Sequence, residues 1–208
     1  MGEEINLTMV GHSYTRRLRD YRNTHEGGAS SMTLEGKAIN LTYVHQGGQN
    51  YAFFNRSEVH KRRVVESKPD VVLVVLGGNA VGSGAPVPTG TREMRRYHRW
   101  LREALPGTVI ICAEVEPRYN PDSSVPEDKL SPLDPDRKHR ETYWYRRNAF
   151  NQAVNRMKDK DFTLRIGKYL NRRRFYDKSG VHLSRRGNRF YWGLIKDCLV
   201  KAFLKFQL

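Results

Sequence analysis

Val71-Val72-Leu73-Val74-Val75-Leu76 runs directly into Gly77-Gly78-Asn79. An unbroken, largely β-branched apolar run of this length marks a strand covered on both faces, as in a parallel sheet. Four further strand-like runs lie on either side of it: Ile5 to Val10, Ile39 to Val44, Thr108 to Ala113, and Phe162 to Ile166. Helix-compatible stretches fall between and after them, at about 14–23, 51–66, 91–104, 140–158 and 185–204. Strands alternating with helices predict a doubly wound α/β sheet with right-handed crossovers. Ligands in such sheets bind outside the carboxyl ends of the strands.

Two segments interrupt the alternation. Residues 22–37 are polar, contain Gly27-Gly28-Ala29-Ser30-Ser31, and read as a flexible loop. Residues at about 117–139 carry five prolines and several acids, and read as a long surface insertion. Loops this long in compact domains are often functional, as lids or cleft walls. No internal repeat and no domain boundary is visible, and 208 residues suit one domain with a full core.

Composition narrows the function classes. No apolar run approaches the ~20 residues of a membrane span. The N-terminus, Met1-Gly2-Glu3-Glu4, lacks the basic-then-apolar order of a signal peptide, and Asn6 stands where a myristoylation signal wants Ser or Thr. These features predict an intracellular protein, cytoplasmic or nuclear. Two cysteines make no disulfide framework; Cys112 reads as a buried small hydrophobe, and no Cys/His spacing fits zinc. The net charge of +15, from 37 Lys+Arg against 22 Asp+Glu, attracts polyanions, nucleic acid first and anionic lipid surfaces second.

The strand ends carry the chemistry. Val10-Gly11-His12-Ser13 closes the first strand, and Tyr14-Thr15-Arg16-Arg17-Leu18 opens the first helix. A serine there projects its hydroxyl at the sheet edge, with its own N–H at the positive helix end. Serine is also a preferred helix cap, which is the blander reading. Gln46-Gly47-Gly48-Gln49 follows the second strand and Gly77-Gly78-Asn79 the third, where glycine allows close backbone approach and asparagine adds a side-chain donor. Ordinary turn chemistry uses the same residues. Near the end, Gly180-Val181-His182-Leu183-Ser184 places a histidine in a glycine turn between apolar residues, unlike His25, His60, His98 or His139. Such a histidine is a candidate general base for Ser13.

Taken together, these blocks resemble the SGNH (GDSL-type) hydrolase superfamily. Gly11-His12-Ser13 resembles its Gly-Asp-Ser block, and Gly48 its second-block glycine. Gly77-Gly78-Asn79-Ala80 resembles its Gly-x-Asn-Asp block, and Ser179-Gly180-Val181-His182 its Asp-x-x-His block. The chain is similar in particular to SGNH-like domains of animal retrotransposon-derived open reading frames, which fits its basic charge. The resemblance implies a flavodoxin-like three-layer α/β/α sandwich with a five-stranded parallel sheet. It also implies Ser13 as nucleophile, His182 as base, and an oxyanion hole from the Ser13 N–H, the Gly48 N–H and the Asn79 side chain. No cofactor is implied. Three positions depart from the pattern: His12, Ala80 and Ser179 each replace an aspartate. With the acid absent at Ser179, Asp177 is the candidate to complete a triad, or a backbone carbonyl orients the imidazole instead.

Two functions follow. One is a serine hydrolase acting on small carboxylic esters through an acyl-Ser13 intermediate. The other is a catalytically weak or silent module of the same fold that binds RNA or DNA through its basic surface. For the second, Arg172, Arg173, Arg174, Arg185 and Arg186 flank the His182 loop as candidate nucleic-acid contacts, and aromatics interleave in Tyr143-Trp144-Tyr145-Arg146-Arg147 and Arg174-Phe175-Tyr176.

Overall fold

The computed structural model describes residues 4–118 and 135–207. In chain order the elements are β1 (Glu4–Gly11), α1 (Ser13–His25), β2 (Ser31–Leu34), β3 (Lys37–His45), α2 (Tyr51–Arg56), α3 (Glu58–Glu66) and β4 (Val71–Val75). After these come α4 (Gly78–Gly82), α5 (Val87–Ala104), β5 (Val109–Ala113), α6 (Pro135–Arg156), β6 (Phe162–Leu164), a 3-10 turn (Arg173–Phe175) and α7 (Arg185–Phe206). Most of the expected proline-rich insertion, residues 119–134, lies outside the described residues.

Among the described residues the strands form one sheet in the order β2-β3-β1-β4-β5-β6. Five are parallel, in the flavodoxin-like order, and β2 pairs antiparallel with β3 at the edge. The fold class is as expected, but the sheet has six strands, not five. The period-two geometry of a strand divides the apolar run of β4 between two cores. Val71, Leu73 and Val75 pack into a layer with α1 and α7, while Val72, Val74 and Leu76 pack into one with α3, α5 and α6. Every residue of β4 and β5 is buried, Cys112 among them. No helix among the described residues is long and apolar enough to cross a membrane.

The sixth strand lies inside the segment read as a flexible loop. Its turn, Glu35-Gly36, has positive φ at both residues (50° and 75°), the geometry that joins antiparallel strands through two residues. Glu-Gly lacks the Asn-Gly signature of that turn, so its sequence gives little warning. Arg22, fully buried, orders the rest of the segment. Its Nη1 donates to the Ala29 carbonyl (2.7 Å) and to Tyr43 Oη (3.0 Å), its Nη2 donates to the Ser31 carbonyl (2.8 Å), and its guanidinium lies 4.4 Å from the Trp192 ring centre. The helix expected over 51–66 is broken at Ser57, whose backbone is extended and whose hydroxyl meets His60 Nδ1 at 2.7 Å.

The β1–α1 junction sets the position of the site. Gly11 lies opposite both His45 of β3 and Val75 of β4. A Cβ at Gly11 would overlap Thr15 Oγ1 and sit 2.8 Å from the Val75 carbonyl oxygen. Gly11→Ala should therefore destabilise the fold by about 1–3 kcal/mol, as overpacking of a tight interior does. Thermal unfolding should show a Tm lower by at least about 2 °C; an unchanged Tm would show that the junction has slack.

Candidate active site

Three strand ends and the back loop converge. The Gln46 N–H donates to the Gly11 carbonyl (3.1 Å), tying the turn after β3 to the end of β1. Asn79, at the start of α4, donates from Nδ2 to the Gln49 carbonyl (2.9 Å), tying the end of β4 to that same turn. Gly48 lies in the turn with φ of 74°, a conformation that glycine tolerates and a side chain resists. Across the front, Ser13 Oγ lies 3.0 Å from His182 Nε2, although the two residues are 169 apart in sequence.

Ser13 is the first residue of α1 rather than its cap. The cap is His12, whose Nδ1 accepts a long hydrogen bond from the Tyr14 N–H (3.5 Å). The Ser13 hydroxyl is thus not consumed by capping, and its N–H lies in the first turn of the helix, where donors face outward. His12 is buried and its Nε2 has no partner among the described residues. Burial above all, then Arg118 and His182, push its pKa down to about 3, so His12 is neutral.

His182 sits in a narrow hairpin. Tyr176 and Leu183 bridge antiparallel, the Asp177 N–H donates to the His182 carbonyl (2.8 Å), and Gly180 turns the chain with φ of 65°. The Ser179 hydroxyl accepts from the N–H groups of Val181 (3.2 Å) and His182 (3.4 Å) and donates to Asp177 Oδ1. Tyr14 fastens the hairpin to α1 by donating its hydroxyl to the Val181 carbonyl, and its ring lies 5.8 Å from the His182 ring.

Asp177, the candidate acid of a triad, has its carboxylate engaged elsewhere. Its Oδ2 accepts from Arg17 Nη1 at 2.8 Å, and its Oδ1 accepts from the N–H (2.9 Å) and hydroxyl of Ser179. Among the described residues no Asp or Glu oxygen lies within 4 Å of a His182 ring nitrogen. The reason is local: Asp177 has both oxygens committed two residues downstream and to the first helix. Burial raises its carboxyl, but the bonds from Ser179 and Arg17 outweigh that and hold it below the ordinary range.

Burial also pushes His182 below the ordinary histidine value, aided by Arg17, Arg118 and Arg16 and opposed by Asp177. A neutral imidazole 3.0 Å from a serine hydroxyl is arranged to take its proton.

The five arginines flagged beside the hairpin are all exposed. Arg173 donates to the carbonyls of Tyr176 (3.2 Å), Asp177 (2.8 Å) and Lys178 (3.3 Å), so it braces the hairpin. Arg174 and Arg186, with Arg189, border a groove of about 440 Å³ floored by Phe175 and Phe190. Three site residues escaped the sequence reading. Tyr14 and Arg17 follow the serine on α1, with Arg17 on the same helix face by i,i+4 spacing. Arg118 lies past the end of β5, and its Nη2 donates to Asn79 Oδ1 at 3.1 Å. The rule that strand ends bear function, applied to β5, points to it.

The sequence matches the model of the GDSL-like lipase/acylhydrolase family over residues 9–190. No curated protein matches it. Among solved structures it is similar to a carbohydrate esterase of family 3 from Talaromyces cellulolyticus (15% identity, 97% of this chain and 99% of that one, TM-score 0.63). It is also similar to the psychrotrophic esterase EstA from Pseudoalteromonas sp., inhibited there by monoethylphosphonate (12% identity, 95% and 98%, TM-score 0.57). A lipase/acylhydrolase from Enterococcus faecalis is a further match (16% identity, 93% and 94%, TM-score 0.56).

Followed by NMR, the His182 imidazole should titrate below the ordinary histidine value. Arg17→Gln removes a cation that lowers this pKa and releases Asp177, which raises it, so both changes move the midpoint upward. A native midpoint at or above 6.5, or a downward move in the variant, would contradict this account of the site's field.

Proposed function

The chain belongs to the GDSL-like lipase/acylhydrolase family, and we propose that it hydrolyses carboxylic esters through an acyl-Ser13 intermediate. The observation that carries this reading is the 3.0 Å approach of Ser13 Oγ to His182 Nε2 at the carboxyl edge of the sheet. In this scheme Ser13 Oγ attacks the ester carbonyl carbon while His182 Nε2 takes its proton. The tetrahedral oxyanion is met by the Ser13 N–H, the Gly48 N–H and an Asn79 Nδ2 hydrogen. The carbon–oxygen bond to the alcohol then breaks, and the imidazolium returns its proton to the departing oxygen. Water, deprotonated in turn by His182, releases the acid and restores Ser13.

Asp177 makes no hydrogen bond to the His182 ring in this scheme, which makes the pair a dyad. What a triad acid does by hydrogen bond, holding the ring in place, falls to the hairpin and its fastenings through Tyr14 and the Arg17–Asp177 pair. What such an acid does by charge, stabilising the imidazolium, is largely lost. Loss of the acid from a complete triad costs about 10⁴ in turnover, yet substantial catalysis over water persists. A slow esterase is the expected phenotype. The phosphonate inhibition of the neighbouring esterase supports a phosphonate probe as reporter of Ser13.

Ser13→Ala and His182→Ala should each lower turnover of 4-nitrophenyl acetate by at least about 10³-fold and abolish fluorophosphonate labelling. Asp177→Asn should cost no more than about tenfold, far from the ~10⁴ of a true triad acid. The acid limb of kcat/KM should lie below pH 6.5, because a depressed histidine stays in its basic form to lower pH. Turnover that survives Ser13→Ala would refute the mechanism. A collapse with Asp177→Asn in well-folded protein would reinstate the triad.

A further inference from the structure

Among the described residues, part of the positive charge around Ser13 has no ion-pair partner. His12 and Ala80, beside Ser13 and Asn79, and Ser179, three residues before His182, are none of them acidic. Asp177 is matched by Arg17 at 2.8 Å. Arg118 has no such partner: among the described residues no Asp or Glu oxygen lies within 4 Å of it, and the same holds for the exposed Arg16. Arg118 is half-buried and uses one N–H on Asn79 Oδ1 (3.1 Å), and its guanidinium carbon lies 5.6 Å from the Tyr143 ring centre. It lies against the α4 turn, where a Cβ on Gly78 would be 3.4 Å from its Nη2. The guanidinium is thus one amide away from a proposed oxyanion donor, and among the described residues its one hydrogen bond is the one to Asn79. Glu116, two residues before it, is buried with Oε1 unpartnered, and burial lifts its pKa to about 7, so it is a weak counter-charge near neutrality.

This arrangement poses an electrostatic problem that a substrate can solve. When His182 takes the serine proton it becomes a cation within the field of Arg17, Arg118 and Arg16. Among the described residues no carboxylate oxygen lies within 4 Å of a ring nitrogen, and Asp177, paired with Arg17, offsets that field only in part. An anion seated on Arg118 would screen the arginine from the imidazolium and would remain paired through the reaction. A planar guanidinium with free donors recognises carboxylate and phosphate in bidentate fashion.

We propose that the ester cleaved at Ser13 carries an anionic group, a carboxylate or a phosphate, near its scissile bond, and that Arg118 receives it. The proposal rests on the Ser13–His182 reading above. The test compares phenyl acetate with 4-acetoxybenzoate and 4-acetoxyphenyl phosphate, each kcat/KM scaled to that ester's rate with hydroxide. At low salt at least one anionic ester should exceed phenyl acetate by about tenfold or more, and which one leads separates carboxylate from phosphate recognition. The preference should shrink with added salt, fall towards one in Arg118→Gln, and be partly kept in Arg118→Lys. A ratio near one in the native protein, or a ratio unchanged in Arg118→Gln, would overturn the proposal. If phenyl acetate is cleaved in a Ser13-dependent way with a ratio near one, only this proposal falls. If none of the three esters shows Ser13-dependent turnover, the hydrolase reading falls with it.

Discussion

Tyr14 and Arg17 hold the back hairpin on the first helix, and the Ser13–His182 hydrogen bond depends on that attachment. The serine is delivered by the end of β1 and the histidine by a hairpin 169 residues later. The contacts that join them include the Tyr14 hydroxyl on the Val181 carbonyl, the Tyr14 ring against the His182 ring, the Arg17–Asp177 ion pair, and the serine–histidine bond itself. The ion pair is partly exposed, with side chains 39% and 29% accessible, so it adds no more than about 1 kcal/mol. Its value lies in geometry rather than stability. It holds Asp177 along the hairpin, where the carboxylate shapes the turn through Ser179 and leaves the imidazole to the serine.

The same arrangement sets the electrostatics. With Asp177 committed to Arg17 and His12 neutral, the charges around Ser13 among the described residues are mainly those of arginines and of the first turn of α1. That field would favour the proposed oxyanion and disfavour an imidazolium formed alongside it. In the proposed reaction one half would be helped and the other hindered, and a substrate that brings its own negative charge would relieve the second. The Gln46, Asn79 and Arg118 contacts bind the three strand-end turns together, so the proposed oxyanion donors would not have to be assembled at the moment of reaction.

The parallel core was legible because Val71 to Leu76 leaves no polar face, which only a doubly covered strand tolerates. Ser13, Gly48, Asn79 and His182 could be singled out as candidates because strand ends and glycine turns leave local marks in sequence. β2 was not, because its order comes from Arg22 reaching the carbonyls of Ala29 and Ser31, a contact that its own polar residues do not announce. The fate of Asp177 was hidden for the same reason: whether a carboxylate faces His182 or Arg17 depends on how a hairpin sits on a distant helix. Arg118 was missed because it follows β5 within a proline-rich stretch that reads as surface loop.

The most direct test of the central claim is to trap the acyl-enzyme. Protein turning over 4-nitrophenyl acetate would be quenched in acid and digested with trypsin, and the peptide that ends at Arg16 would be sequenced by mass spectrometry. The account predicts an acetyl group on Ser13 in the native protein and none in His182→Ala. Continuing hydrolysis with Ser13 unmodified, or with the acetyl group on another residue, would contradict it.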